Sequence, residues 1–237
     1  MQKVQFRDLG RMEYRQAWDY QEELLRGNVQ IKTEQRGLAD DPAIAATATS
    51  HYLLFVEHPP VYTLGKSGHI ENVLISEEQM KEKGMQFFHT NRGGDITYHG
   101  PGQIVGYPVL DLERFYTDIG RYLRNLEEMV ISMLADYGIR GGRSSGETGV
   151  WIEPGITGRE RKICAIGVRC SRWITMHGFA LNVNTDLSYF GNIIPCGIQG
   201  KQVTSLEKEL GYPVSLEEVK DNLKKQFEKV FAVELIC

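Results

Sequence analysis

Met85-Gln86-Phe87-Phe88-His89-Thr90, Asp95-Ile96-Thr97-Tyr98-His99 and Gln103-Ile104-Val105-Gly106-Tyr107-Pro108-Val109-Leu110-Asp111-Leu112 read as three strands in succession, punctuated by the glycine-rich turns around Arg92-Gly93-Gly94 and Gly100-Pro101-Gly102. Strand patterns also cover residues 51–56, stopping at His58-Pro59-Pro60, where two prolines cannot donate to a central ladder. Gly149 to Glu153, Lys162 to Cys170 and Trp173 to Val183 read as further antiparallel strands. Strands therefore cluster in the middle of the chain without helices strictly alternating between them. The expected class is α+β: a single domain with a mixed or antiparallel sheet flanked by helices.

The helices lie outside that cluster. Residues 12–27 carry Tyr14, Trp18, Leu24 and Leu25 near helical spacing, with Gly27-Asn28 as a stop signal. Residues 32–50, polar and rich in Gly, Asp, Ala and Thr, read as a flexible loop. Ser76 with Gln79 forms a capping box for a short helix ending at Gly84. The main core helix spans residues 118–137, where Ile119, Tyr122, Leu126, Met129, Val130, Met133 and Leu134 form one stripe. Thr204 with Glu207, and Ser215 with Glu218, read as capping boxes of two final helices.

A chain of 237 residues, 41% hydrophobic, is long enough for one sizeable core. A net charge of -4 gives no global attraction to nucleic acid. The first residues lack the apolar core of a secretory signal, and no run reaches the roughly 18 apolar residues of a membrane span. Four cysteines in a chain this long, without the dense spacing of a small secreted scaffold, suit a reducing compartment, so the cytoplasm is the expected location.

Pro195-Cys196-Gly197 brackets a thiol between the two residues that best define a sharp turn. A thiol of ordinary pKa, about 8.5, is only slightly ionised at neutral pH, so a nucleophilic role for Cys196 requires a nearby cation or base. An isolated cysteine is more often a small buried side chain. Lys162 opens the apolar stretch Ile163 to Val168; a lysine there is commonly a solvated strand end, but as an ammonium it favours a neighbouring thiolate. Cys164, two residues on, is placed by strand alternation on the same face as Lys162, in the apolar company of Ile166, Val168 and Cys170, and reads as a packing residue. No CxxC or HxxxH spacing supports a zinc site, and no GxxxxGK[ST] phosphate loop is present.

Taken together, Arg92-Gly93-Gly94-Asp95-Ile96-Thr97-Tyr98-His99-Gly100-Pro101-Gly102-Gln103, Lys162-Ile163-Cys164-Ala165-Ile166-Gly167, His177-Gly178-Phe179-Ala180-Leu181-Asn182-Val183 and Pro195-Cys196-Gly197 resemble, in order, the motifs of the octanoyltransferases of lipoate biosynthesis. The resemblance implies the fold of the biotin and lipoate protein ligases. It implies Cys196 as carrier of an acyl thioester and Lys162 as its activating partner. It also implies an acyl site formed by Arg92, Gly93, Gly94, Asp95, Ile96, Thr97, Tyr98, His99, Ala165, Ile166, Gly167, His177, Gly178, Phe179 and Ala180. The donor so implied is octanoyl-acyl carrier protein, and the acceptors are lipoyl domains of 2-oxoacid dehydrogenase E2 subunits and the glycine cleavage H protein. No cofactor or metal is implied, and no nucleic acid or membrane partner. Asp95, where members of the family often carry an uncharged residue, and the length of residues 32–50 depart from the pattern. The alternative readings are an ATP-dependent lipoate or biotin protein ligase and a lipoyl-domain binding module without turnover.

Overall fold

In the computed structural model, which describes residues 1–37, 48–194 and 202–237, a nine-stranded mixed sheet separates two helical layers. Its strands are β1 (Gln2–Arg11), β2 (Tyr52–Glu57), β6 (Gln103–Val109), β7 (Gly141–Gly142), β8 (Val150–Ile152), β9 (Arg161–Ser171), β10 (Ile174–Asn182), β11 (Gln202–Val203) and β12 (Val233–Ile236). They run in the order β12-β1-β2-β6-β10-β9-β8-β7, with β11 joined to β9. The contacts of β1 with β2 and β12, and of β11 with β9, are parallel; the others are antiparallel. A second sheet, β4-β3-β5, is built from β3 (Val61–Leu64), β4 (Gln86–His89) and β5 (Ile96–His99). The α+β class of the sequence reading is the observed one.

The helices are α1 (Tyr14–Gly37), α2 (Glu77–Glu82), α3 (Ile119–Asp136), α4 (Leu206–Leu210) and α5 (Leu216–Phe231). On one face of the large sheet, Leu126, Met129, Val130 and Met133 of α3 and Leu223 and Phe227 of α5 pack with Phe55, Ile104, Phe179 and Leu181 into the main core. Their helical spacing forms the stripe that drives this burial, the leading stabilising contribution in such a core. On the other face α1 packs Ala17 and Leu24 over Leu54, Val105, Tyr107 and Ala180. No helix among the described residues is long and apolar enough to cross a membrane.

Three local readings need correction. Gly27-Asn28 does not stop α1, which runs on to Gly37. The Asn28 side chain is buried and exchanges hydrogen bonds with the Ser50 backbone at 2.7 and 2.9 Å, so tertiary contacts override the weak helix preference of these two residues. Residues 32–37 of the expected loop are therefore helical, residues 48–50 are irregular, and 38–47 lie outside the described residues. Helix α4 is capped by Ser205, not Thr204: the Ser205 hydroxyl accepts from the Lys208 N–H, while the Thr204 backbone N–H donates to the Lys162 carbonyl. The Ser76–Gln79 capping box is present in both directions.

Candidate active site

The cavity of about 520 Å³ on the α1 face is floored by β9, β10 and β6 and walled by β5, the glycine turn at 92–94, and the stretch preceding β8. Of the residues named from sequence, Lys162, Arg92, Gly94, Asp95, Ile96, Thr97, His99, Ala165, Ile166, Gly167, His177, Gly178, Phe179 and Ala180 line it. Gly93 and Tyr98 do not. Gly93 fixes the turn by donating its N–H to the Val168 carbonyl at 2.9 Å, and Tyr98 packs in the second core against Tyr62, Phe190 and a stacked Tyr189 ring. Cys196 lies outside the described residues.

A β-bulge decides which way Lys162 points. Against β8, Val150 pairs with Cys164 and the next residue, Trp151, pairs with Lys162, so Ile163 is an extra residue in β9. Simple alternation puts Lys162 on the Cys164 side; with the bulge, Lys162 shares the cavity with Ala165 and Gly167 while Ile163 and Cys164 enter the main core. This overturns the reading that Lys162 and Cys164 share a face. Burial pushes the Cys164 thiol pKa up, as expected for a packing residue.

Lys162 is largely buried, with its Nζ 4.6 Å from the centroid of the Trp151 ring and 4.0 Å from the Glu147 carboxylate. Its stem lies beside Gly149, whose φ of +125° only glycine adopts readily; a Cβ there would fall 2.6 Å from the Cys164 carbonyl oxygen. Gly149 N–H in turn donates at 3.0 Å to the fully buried Glu127 of α3, which also binds Arg143 and Arg124 at 2.9 and 2.7 Å.

Elsewhere around the cavity, polar groups are held by specific bonds. Arg92 Nη2 donates to the Thr63 carbonyl and hydroxyl at 2.5 and 2.9 Å. His99 bonds Gln103 through Nδ1 at 2.9 Å, and Gln103 donates to Asn182 at 2.8 Å, linking β5, β6 and β10. His177 sits in left-handed backbone, φ +57°, its N–H taken by the Gln21 side chain of α1 and its Nε2 against Asn91 at 2.7 Å. Burial first, then the Arg92 and Arg169 charges, lowers the His177 pKa to about 3; burial holds His99 well below the ordinary value and lowers His58 to about 4. These rings are neutral at pH 7; His99 and His177 line the cavity, and His58 lies behind Tyr107, bonded to its hydroxyl. Asp95 ties the adjoining turn together: its carboxylate accepts from Asn72 Nδ2 and from the N–H groups of His69 and Ile96.

A model of the lipoyl protein ligase A/B catalytic domain matches residues 13–228. The octanoyltransferase of Flavobacterium johnsoniae is 59% identical over 235 residues, covering 99% of both chains. That of Solibacter usitatus is 47% identical over all of this chain and 96% of its own. The chain belongs to the octanoyltransferase family. Octanoyltransferases are acyltransferases, so this chain is an enzyme of that class. Its fold is that of the lipoate protein ligases: a bi-partite lipoate protein ligase of Thermoplasma acidophilum, described together with its E2 lipoyl domain, superposes with a TM-score of 0.68 at 18% identity, covering 100% of this chain and 88% of that one. A lipoate-protein ligase A bound with ATP gives 0.65, also at 18% identity, over 100% and 89%.

Several cavity residues escaped the sequence reading. Tyr14 and Tyr107 read only as members of a helix and a strand, and the packing of α1 over β6 brings them together at the cavity. Glu147 and Thr148 lie in a polar loop without periodicity. Gln103 and Asn182 stood inside quoted motifs, and a polar residue within an otherwise apolar strand was the available signal. Among the described residues, no group of three His, Cys, Asp or Glu side chains is placed to hold a metal.

Proposed function

We propose that this enzyme moves an octanoyl group from octanoyl-acyl carrier protein to a lysine of lipoyl domains through a thioester on Cys196. The observation that carries the reading is the bulge-directed Lys162 at one end of a cavity floored by small side chains, Ala165, Gly167, Gly178 and Ala180. Such a floor suits an unbranched acyl chain, which needs length and little width. Chain connectivity supports Cys196 as the partner. It follows Ile194 by two residues, and the Ile194 N–H donates to the Asn72 carbonyl at 2.8 Å; it precedes Val203 by seven, and Val203 is paired with Lys162 and lines the cavity.

In the first step the Cys196 thiolate attacks the donor thioester carbon, the carbonyl oxygen takes up the electron pair, and backbone N–H groups around the cavity stabilise that oxyanion. Collapse expels the carrier thiolate, which takes a proton from the Lys162 ammonium. In the second step the neutral ε-amine of the acceptor lysine attacks the acyl-Cys196 carbon. The C–S bond breaks, Lys162 takes the amine proton, and an amide and the starting Cys196–Lys162 pair result. One thioester replaces another in the first step, so no nucleotide is needed to drive it.

Intact-mass spectrometry after mixing with octanoyl-acyl carrier protein tests this reading. A hydroxylamine-sensitive octanoyl adduct is expected, absent in Cys196→Ala. Activity that requires ATP and survives Cys196→Ala identifies the ligase reading instead, and binding of lipoyl domains without turnover identifies the binding module.

A further inference from the structure

Lys162 lies where one strand replaces another beside β9. The pairing of β10 with β9 ends at Leu181 and Cys164, two residues short of Lys162. Lys162 is nevertheless paired on both edges, with Trp151 of β8 on one and Val203 of β11 on the other. Because β8 holds its own edge, β11 occupies the edge that β10 has left. β11 is only two residues long, too short to be held firmly by its own ladder, so whatever fixes it decides how firmly Lys162 is placed.

A pair of buried amides does this. Asn182, the last residue of β10, donates from Nδ2 to the Thr204 carbonyl at 3.0 Å, and the Thr204 N–H donates to the Lys162 carbonyl at 2.9 Å. The Thr204 hydroxyl donates to Glu209, which Arg161 grips with two of its nitrogens. Gln103, opposite Asn182 in the β6–β10 register, donates from Nε2 to the Tyr98 carbonyl at 3.1 Å and to Asn182 Oδ1 at 2.8 Å. A backbone carbonyl only accepts, so Tyr98 at one end and Thr204 at the other leave one orientation for both amides. Gln103 Oε1 then faces His99 Nδ1, which carries the proton of that neutral ring. Asn182, Gln103 and Thr204 are all buried, where a flipped amide would leave polar groups unpaired.

We propose that Asn182, oriented by Gln103, is a positioning residue for Lys162: it splices β11 onto the end of β10 and so fixes the backbone from which the Lys162 side chain enters the cavity. The inference rests on the acyl-transfer reading above, in which Lys162 carries the proton. Lys162 stands immediately before the extra residue of the bulge, where β9 is already irregular, and its long side chain carries any backbone displacement out to Nζ. Misplacing a reacting group by about 1 Å costs on the order of 10²-fold in rate. Without the Asn182 N–H the Thr204 carbonyl loses its partner and β11 can shift along β9, which leaves Lys162 present but no longer aimed.

The test is a double-mutant cycle on Asn182→Ala and Lys162→Met, read as kcat and KM for octanoyl transfer from octanoyl-acyl carrier protein to a lipoyl domain. Thermal unfolding first establishes that each protein is folded at the assay temperature. Asn182→Ala is expected to lower kcat about tenfold with the donor KM unchanged, and to have no further effect once Lys162→Met has removed the ammonium. Asn182→Asp keeps the shape and the Gln103 bond but sets an oxygen against the Thr204 carbonyl, and is expected to be slowed at least as much. If Asn182→Ala slows the Lys162→Met enzyme by the factor by which it slows wild type, Asn182 acts on substrate or on the fold at large and the assignment is overturned. Folded Asn182 variants at the wild-type rate overturn it as well, as does failure of both variants to fold. Lys162→Met at the wild-type rate overturns the role of Lys162 and the positioning with it, whereas wild type that transfers no octanoyl group overturns the acyl-transfer reading itself.

Discussion

The fully buried Glu127 carboxylate accepts the Gly149 N–H at 3.0 Å, tying α3 to the glycine against which the Lys162 stem packs. The same carboxylate binds Arg143 and Arg124. Glu127→Ala removes the acceptor of a buried N–H and the partner of two guanidinium groups. Because both arginines reach solvent, the expected loss is about 2 kcal/mol, below that for a wholly buried pair. Urea unfolding measures it, and the acylation rate is expected to fall as the Gly149 loop loosens around Lys162.

Gly149→Ala probes the same place from the backbone. A side chain at φ +125° is strained, and its Cβ would sit 2.6 Å from the Cys164 carbonyl oxygen, so a loss of about 1–3 kcal/mol is expected. Thermal unfolding reads this loss. A lowered kcat with little change in KM would place the remaining effect at Lys162.

Replacing the ammonium itself is more severe for the reaction. Lys162→Met is expected to slow acyl-enzyme formation by about 10²-fold or more in single-turnover measurements, the usual scale of a lost acid–base group. Lys162→Arg keeps the charge but not an exchangeable proton at neutral pH, and is expected to recover only part of the rate.

Acid is expected to weaken the fold through the buried histidines at and behind the cavity wall. His58 and His177 are lowered by burial to about 4 and about 3, and His99 also lies well below its usual 6.5, so the unfolded chain binds protons that the native rings refuse. The stability involved is fully present above pH 6.5 and is lost as pH falls toward the native values. Each ring contributes a slope of up to about 1.4 kcal/mol per pH unit. Urea midpoints at pH 7 and pH 5 measure the drop, and His58→Gln is expected to flatten it by one ring's share.

Asp95 has a local task in the turn it joins. Asp95→Ala strands the His69 and Ile96 N–H groups and the Asn72 amide, each formerly bonded to a charged acceptor. A local loosening of about 1.5–3 kcal/mol is expected, read as faster hydrogen exchange at residues 66–74.

What could be read from sequence follows from where the signals reside. The α3 stripe is legible because one helix face alone meets the core, and the Ser76 box because its partners lie within one turn. β1 is not legible: of its ten residues only Val4 is fully buried, and its strand state comes from parallel pairing with β2 and β12, far away in the chain. Most cavity residues could be named from motifs, but the direction of Lys162 could not. Its cause, one surplus residue opposite β8, exists only once two strands are paired.

The burial of Cys164 has a chemical consequence for the enzyme. A thioester can pass its acyl group to any accessible thiolate, so under the proposed mechanism a reactive sulfur beside Lys162 other than Cys196 would drain the acyl group into a dead-end adduct. By turning Ile163 and Cys164 into the apolar layer beneath the sheet and keeping that sulfur protonated, the strand leaves Cys164 unable to compete for an acyl group carried, as proposed, on Cys196.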